Sequence, residues 1–187
     1  MTTRPKPLVI AVAAVSGGGK TTVTKRLAEI LDRSKALYFD DYEFSGEPDD
    51  LCEWVAQGAD CNVWNLSPLR SELQFLSLCH EPPLDFVVMD YPFAYLHEEM
   101  KSLIDFAIFI DTPLDIAMAR RIVRDYTADT MNRVASDMLH YLDRGRPAYM
   151  QMLRTVKPNS DIVVDGELPL TTIIDTIVEE IGSRYKK

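Results

Sequence analysis

Five short apolar runs, at residues 8–15, 36–39, 86–89, 106–110 and 162–164, are continuous rather than alternating between apolar and polar positions. Runs of this length and continuity predict strands buried on both faces. Between them the period becomes helical. Val23, Leu27, Ile30 and Leu31 fall on one face of a first helix, and Leu170, Ile173, Ile174, Ile177, Val178 and Ile181 on one face of the last. Thr112-Pro113-Leu114-Asp115 predicts a helix running to about Arg124, with Thr112 as cap, Pro113 in the first helical position and Asp115 bonding back to the cap. Ser67-Pro68 predicts another through about Leu78. Strand and helix therefore alternate, which specifies an α/β fold: a five-stranded parallel sheet, helices on both faces, and ligands at the carboxyl ends of the strands. No internal repeat interrupts the pattern.

The first strand runs directly into Ala14-Val15-Ser16-Gly17-Gly18-Gly19-Lys20-Thr21-Thr22 and then into a helix. A glycine-rich turn between strand and helix is the setting of a phosphate loop, in which backbone N–H groups surround an anion at a helix N-terminus. Ser16, Gly17, Gly18, Gly19, Lys20, Thr21 and Thr22 are accordingly the expected nucleotide contacts. Lys20 would place a point charge on the β- and γ-phosphates, and the Thr21 hydroxyl would bind Mg²⁺. Ala14 stands where the first glycine of the pattern belongs, so the loop must either avoid positive φ there or carry strain. A glycine-rich turn with an incidental lysine is the plainer alternative.

Asp90 ends the apolar run 86–89, as the second metal-binding carboxylate of such proteins ends its strand, and is expected at the Mg²⁺. Asp111 also ends a strand, but it precedes the strong helix start and reads as a structural carboxylate. His80, His97 and His140 lack ligand spacing. Cys52, Cys61 and Cys79 form neither the pairs of a zinc site nor an even disulfide framework, which suits a reducing cytoplasm.

With its strand and helix setting, the loop resembles that of the uridine kinase family and its relatives, the nicotinamide riboside kinases, pantothenate kinases and phosphoribulokinases. Further segments carry the likeness. Tyr38-Phe39-Asp40-Asp41-Tyr42 is similar to the family segment that ends the second strand, Arg120-Arg121-Ile122-Val123-Arg124-Asp125 and Arg144-Gly145-Arg146 to the two halves of the family lid, and Val156-Lys157-Pro158 to the approach to the final strand. The resemblance implies a three-layer P-loop kinase fold in one domain spanning 1–187, with an acceptor-side insertion at about 41–82 and a helical lid at about 120–150. It implies ATP and Mg²⁺, Asp40 as catalytic base beside the metal, with Asp41 as the alternative, and Arg121 and Arg124 closing on the phosphates. It also allows the self-association found in many relatives. Two departures stand out. The spacer between the lid halves is longer than in uridine kinases, and Asp90-Tyr91-Pro92 replaces their Glu-Gly after the third strand.

Charge narrows the partners. The net charge of −9 opposes nucleic-acid backbones and anionic membranes, and no stretch approaches the length of a membrane span. Residues 36–69 contain no Lys or Arg but many acids, among them Asp40, Asp41, Glu43, Glu47, Asp49 and Asp50. A field of that sign favours a neutral or cationic hydroxyl acceptor, with a nucleoside first in line, over one already phosphorylated. Tyr42, Phe44, Tyr91, Phe93 and Tyr95 are candidates for a ring-stacking wall or for core, as are Trp54 and Trp64. Rival readings are a nucleotide or dephospho-coenzyme A type kinase, which needs a basic acceptor side, and a nonenzymatic ATP-binding switch, which needs no base.

Overall fold

In the computed structural model, which describes residues 6–127 and 130–185, the five apolar runs form one parallel sheet. Its strands are β1 (Leu8–Ala13), β2 (Ser34–Tyr38), β3 (Phe86–Asp90), β4 (Phe106–Asp111) and β5 (Ile162–Asp165), in the order β2-β3-β1-β4-β5. Side chains alternate across it. Ile10, Val12, Val88, Phe106, Ile108 and Ile110 pack on one face against Val23 and Leu27 of α1 (Lys20–Ile30) and against Ile173, Ile174, Ile177 and Ile181 of the last helix. Val9, Ala11, Val87, Met89, Ala107 and Phe109 face the other layer. The central strands β1, β3 and β4 are covered on both faces and read as unbroken apolar runs, whereas the edge strands β2 and β5 are only partly buried, with Lys35 and Val163 exposed, against the expectation of burial on both faces for every run.

The second layer contains α2 (Leu51–Ala56), α3 (Ser67–Leu78), the short α4 (Glu98–Lys101) and α5 (Leu114–Asp125). Next come α6 (Met131–His140), a π-helical turn at Tyr141–Gly145, and α7 (Arg146–Thr155), which lead back to β5; α8 (Leu170–Arg184) closes the chain. The stretch expected to form the acceptor-side insertion thus contains α2 and α3, and the one expected to form the lid, about 120–150, takes in the end of α5, α6, the π-helical turn and the start of α7, with 128 and 129 outside the described residues.

The helix expected after β4 is present, but its start is not the predicted capping box. Pro113 stands at the cap position without a side-chain bond, and the buried Thr112 hydroxyl donates instead to the Gly18 carbonyl at 2.9 Å. A long-range acceptor that must be satisfied has outcompeted the local one. Thr112 also meets β5's exit: a Cβ on Gly166 would lie 1.9 Å from Thr112 Oγ1. Thr112 therefore clamps the glycine loop from behind. Thr112→Val keeps the shape and removes the donor, so it should destabilise the fold by about 1–3 kcal/mol in denaturant melts. Thr112→Ser should recover most of that, and a Val variant as stable as wild type would refute the clamp.

Candidate active site

Strand order brings three carboxyl ends together. In register, Asp90 of β3 lies beside Val12 of β1 on one side and beside Tyr38 of β2 on the other. The glycine loop leaves β1 two residues after Val12, and Asp40 follows β2 in a single 3₁₀ turn, Phe39–Asp41. Asp90 thus stands between loop and Asp40.

The loop is shaped by close approach. Gly17 adopts φ +78°, and a Cβ there would sit 2.0 Å from the Ala117 carbonyl of α5. Gly19 adopts φ +100° at the N-cap of α1. Ala14 is buried and is not among the positive-φ residues, so the chain takes the strain-free course at the position where a glycine is missing. No side chain caps α1, and its first intrahelical bond runs from Val23 N–H to Gly19. The earlier amides of the first turn are left to an external acceptor, and the helix dipole adds positive potential at the same place.

Asp90, 3% exposed, takes both functional side chains of that turn: the Lys20 ammonium pairs with Oδ1, and Thr21 Oγ1 donates to Oδ2 at 2.6 Å. Burial pulls the Lys20 pKa down to about 8, with Asp40 opposing and Arg124 adding to the fall. Lys20 is still charged at neutral pH. Among the described residues no group of three or more His, Cys, Asp or Glu could hold a metal on its own. Thr21 and Asp90 nonetheless form a hard oxygen pair of the kind Mg²⁺ uses together with substrate phosphates, so the donor set fits that ion. Bound there, the ion would neutralise phosphate charge.

One cavity of about 1170 Å³ runs from this cradle outward. Ser16, Gly17, Gly18, Gly19, Lys20, Thr21 and Thr22 all line it. Near them are Arg120, which donates to the Gly166 carbonyl, and Leu168, Leu170 and Ile173. The lining also includes Asp40, near enough to Lys20 to oppose the fall in its pKa, then Glu47, Phe39, Trp54, Trp64 and Phe93 and, from α7, Tyr149, Gln151 and Met152. Asp41 is not in the lining.

The arginines divide. Arg124 lines the cavity and influences Lys20 across it; bonding to Asp125 holds its pKa above the ordinary value. Arg121 lies outside the lining and is fully engaged, with Asp137 at 2.8 Å, the Tyr149 hydroxyl at 3.4 Å and Asp125 at 3.5 Å. Arg144 pairs with Asp50 at 2.9 Å, joining the end of the π turn to the cap of α2. Asp111 pairs with Lys157 at 2.5 Å, in keeping with its structural reading.

Of the five aromatic residues proposed after β2 and β3, Phe93 alone reaches the lining. Phe44 and Tyr91 are core, Tyr42 donates to Glu72, and Tyr95 donates to Asp161. Sequence reasoning passed over Tyr149 and Gln151. The available signal was their place on the helix after the second lid half, at a spacing that puts Ala148, Tyr149, Gln151 and Met152 on adjoining faces.

A buried parallel sheet with a glycine loop, an ammonium group, a hydroxyl and a strand-end carboxylate at its carboxyl edge defines a P-loop nucleotide-binding fold. Comparisons with known proteins agree. Residues 81–172 match the model of the Phosphoribulokinase / Uridine kinase family. The chain is 26% identical to the uridine kinase of Bacillus pumilus (strain SAFR-032), over 95% of each chain. It is also 26% identical to that of Staphylococcus epidermidis (strain ATCC 35984), over 96% of this chain and 97% of the other. In fold it is similar to a deoxyadenosine kinase from M. mycoides with bound dCTP, at TM-score 0.54 and 14% identity over 94% of this chain and all of that one. Over most of its length the chain is thus similar to P-loop kinases of the phosphoribulokinase / uridine kinase family.

Proposed function

We propose that the protein transfers the γ-phosphoryl group of Mg²⁺-bound ATP to a hydroxyl of a neutral or cationic nucleoside-type molecule. The observation carrying this reading is the single cavity lined at once by the phosphate cradle, by Asp40 and by aromatic rings. In the reaction the acceptor oxygen bonds to the γ-phosphorus, the bond to the β,γ-bridging oxygen breaks, ADP leaves with that electron pair, and the acceptor's proton passes to the Asp40 carboxylate. Lys20 and Arg124 offset charge on the moving group, while Thr21 and Asp90 would hold the metal, which would supply further neutralisation of phosphate charge. The chemistry is mainly positioning and neutralisation.

Phe39, Trp54, Trp64 and Phe93 suit a flat ring, and the charged side chains beside them, Asp40 and Glu47, are acidic. The likeness to enzymes named uridine kinase supports the same acceptor class. Among the described residues the lining cations are Lys20, Arg120 and Arg124, none of them from the segments that supply the rings, which disfavours a phosphorylated acceptor. Free cysteines at 52, 61 and 79 suit a cytoplasmic setting. The test is ADP release with Mg²⁺-ATP across a panel of nucleosides, pyridinium ribosides, polyols and nucleoside monophosphates. Stimulation above basal hydrolysis is expected from unphosphorylated members, and turnover of monophosphates alone would defeat the reading.

A further inference from the structure

Tyr149 is a buried tyrosine whose hydroxyl, among the described residues, accepts one hydrogen bond and donates none. It stands on α7, 9% exposed, with its ring held edge-on by Tyr141 at 5.2 Å. Arg121 Nη1 donates to its oxygen at 3.4 Å. A guanidinium has no acceptor, so this bond uses a lone pair of the phenol and leaves the phenol's own hydrogen to be donated elsewhere. Arg121 is fixed in turn by Asp137 of α6 and Asp125 of α5, which makes the position of that hydroxyl a property of three helices. Tyr149 lines the cavity together with Lys20 and Arg124, and Arg124 is near enough to Lys20 to help lower its pKa. The phenol therefore shares one cavity with the phosphate cradle, with Arg124 and with Asp40, the groups between which the phosphoryl group must pass.

We infer that Tyr149 donates a hydrogen bond to an oxygen of the phosphoryl group in transfer, and that Arg121 is the positioning residue that aims it. The inference depends on phosphoryl transfer taking place in this cavity, but not on the identity of the acceptor. No proton is transferred: the bond strengthens as negative charge gathers on the phosphoryl oxygens, and the guanidinium behind the phenol makes it a better donor.

The experiment compares wild type and Tyr149→Phe in three readouts: basal ATP hydrolysis to water with Mg²⁺, acceptor-stimulated ADP release, and ATP affinity by equilibrium binding. Removing one preorganised donor should lower both rates by about tenfold to a hundredfold, with ATP affinity and acceptor KM within about twofold of wild type. Unchanged basal hydrolysis, or a loss confined to acceptor KM, would overturn the inference and leave Tyr149 as wall. To separate loss of the donor from any disturbance of the lid helices, 3-fluorotyrosine and 3,5-difluorotyrosine at position 149 provide a nearly isosteric series. If the phenol donates, the rate follows its acidity; a flat series overturns the idea. Should no acceptor stimulate the wild-type protein, the proposed function fails while the basal-hydrolysis arm still decides the role of Tyr149.

Discussion

Asp40→Asn is expected to cut acceptor phosphorylation by about 10²–10⁴-fold, the range over which a positioned general base contributes, while ATP binding stays within about twofold. The change is nearly isosteric. Asp40 is exposed, on a 3₁₀ turn at the end of β2, where substitutions seldom move stability by more than about 0.5 kcal/mol. A fall in rate therefore cannot be assigned to unfolding, and a thermal melt checks this directly. Asp41 provides the internal control. It shares the turn and the charge but does not line the cavity, so Asp41→Asn should be almost silent. If Asp40→Asn turned over at the wild-type rate with ATP binding intact, the base assignment would be lost and the nonenzymatic switch would regain ground. Equal losses from the two variants would point instead to the summed field of the acidic segment.

How much of this site could be read from the chain depends on how local each feature is. The central strands were legible because a sheet covered on both faces must be apolar along its length, as β1 is throughout and β3 and β4 are up to their closing Asp90 and Asp111. The cradle was legible because strand, glycines, Lys20, Thr21 and helix are contiguous. Asp90 was legible because it ends an apolar strand, although its simultaneous hold on Thr21 and on Lys20, 70 residues away in the chain, depends on the pairing of β3 with β1.

Thr112 was misread. Thr-Pro-Leu-Asp satisfies every local requirement of a capped helix, yet the hydroxyl serves a carbonyl 94 positions away. The cavity walls were only partly visible for a similar reason. They come from α2 and α7, which lie about 90 residues apart and pack together with no shared periodicity to announce it. Trp54 and Tyr149 line the cavity for that reason, whereas most aromatics next to the strands pack inward. For the arginines a local rule did exist. Residues i and i+4 share a helix face, which groups Arg120 with Arg124 and sets Arg121 with Asp125 on the next. Arg120 and Arg124 line the cavity, while Arg121 binds Asp125 and the lid helices.

Lys20→Met should weaken ATP binding by about tenfold to a hundredfold, the value of one charge-assisted bond of about 1.5–3 kcal/mol, and should lower transfer by a further 10²-fold or so because phosphoryl charge grows along the reaction. The substitution also removes the cation paired with Asp90, leaving a nearly buried carboxylate with the Thr21 hydroxyl. Breaking such a pair from one side costs about 3–5 kcal/mol, so binding must be measured well below the melting temperature of the variant. The pH dependence separates the two effects. Burial lowers the Lys20 pKa to about 8, Asp40 resists that fall and Arg124 assists it. Phosphate favours the charged form, so nucleotide binding above that pH must recapture a proton, and wild-type affinity should decline by up to about tenfold per pH unit as pH rises past about 8. The Lys20→Met protein has no ammonium to lose and should show no such decline. A wild-type affinity that stayed flat to pH 10, or a Met variant that kept the same slope, would remove Lys20 from the phosphate site.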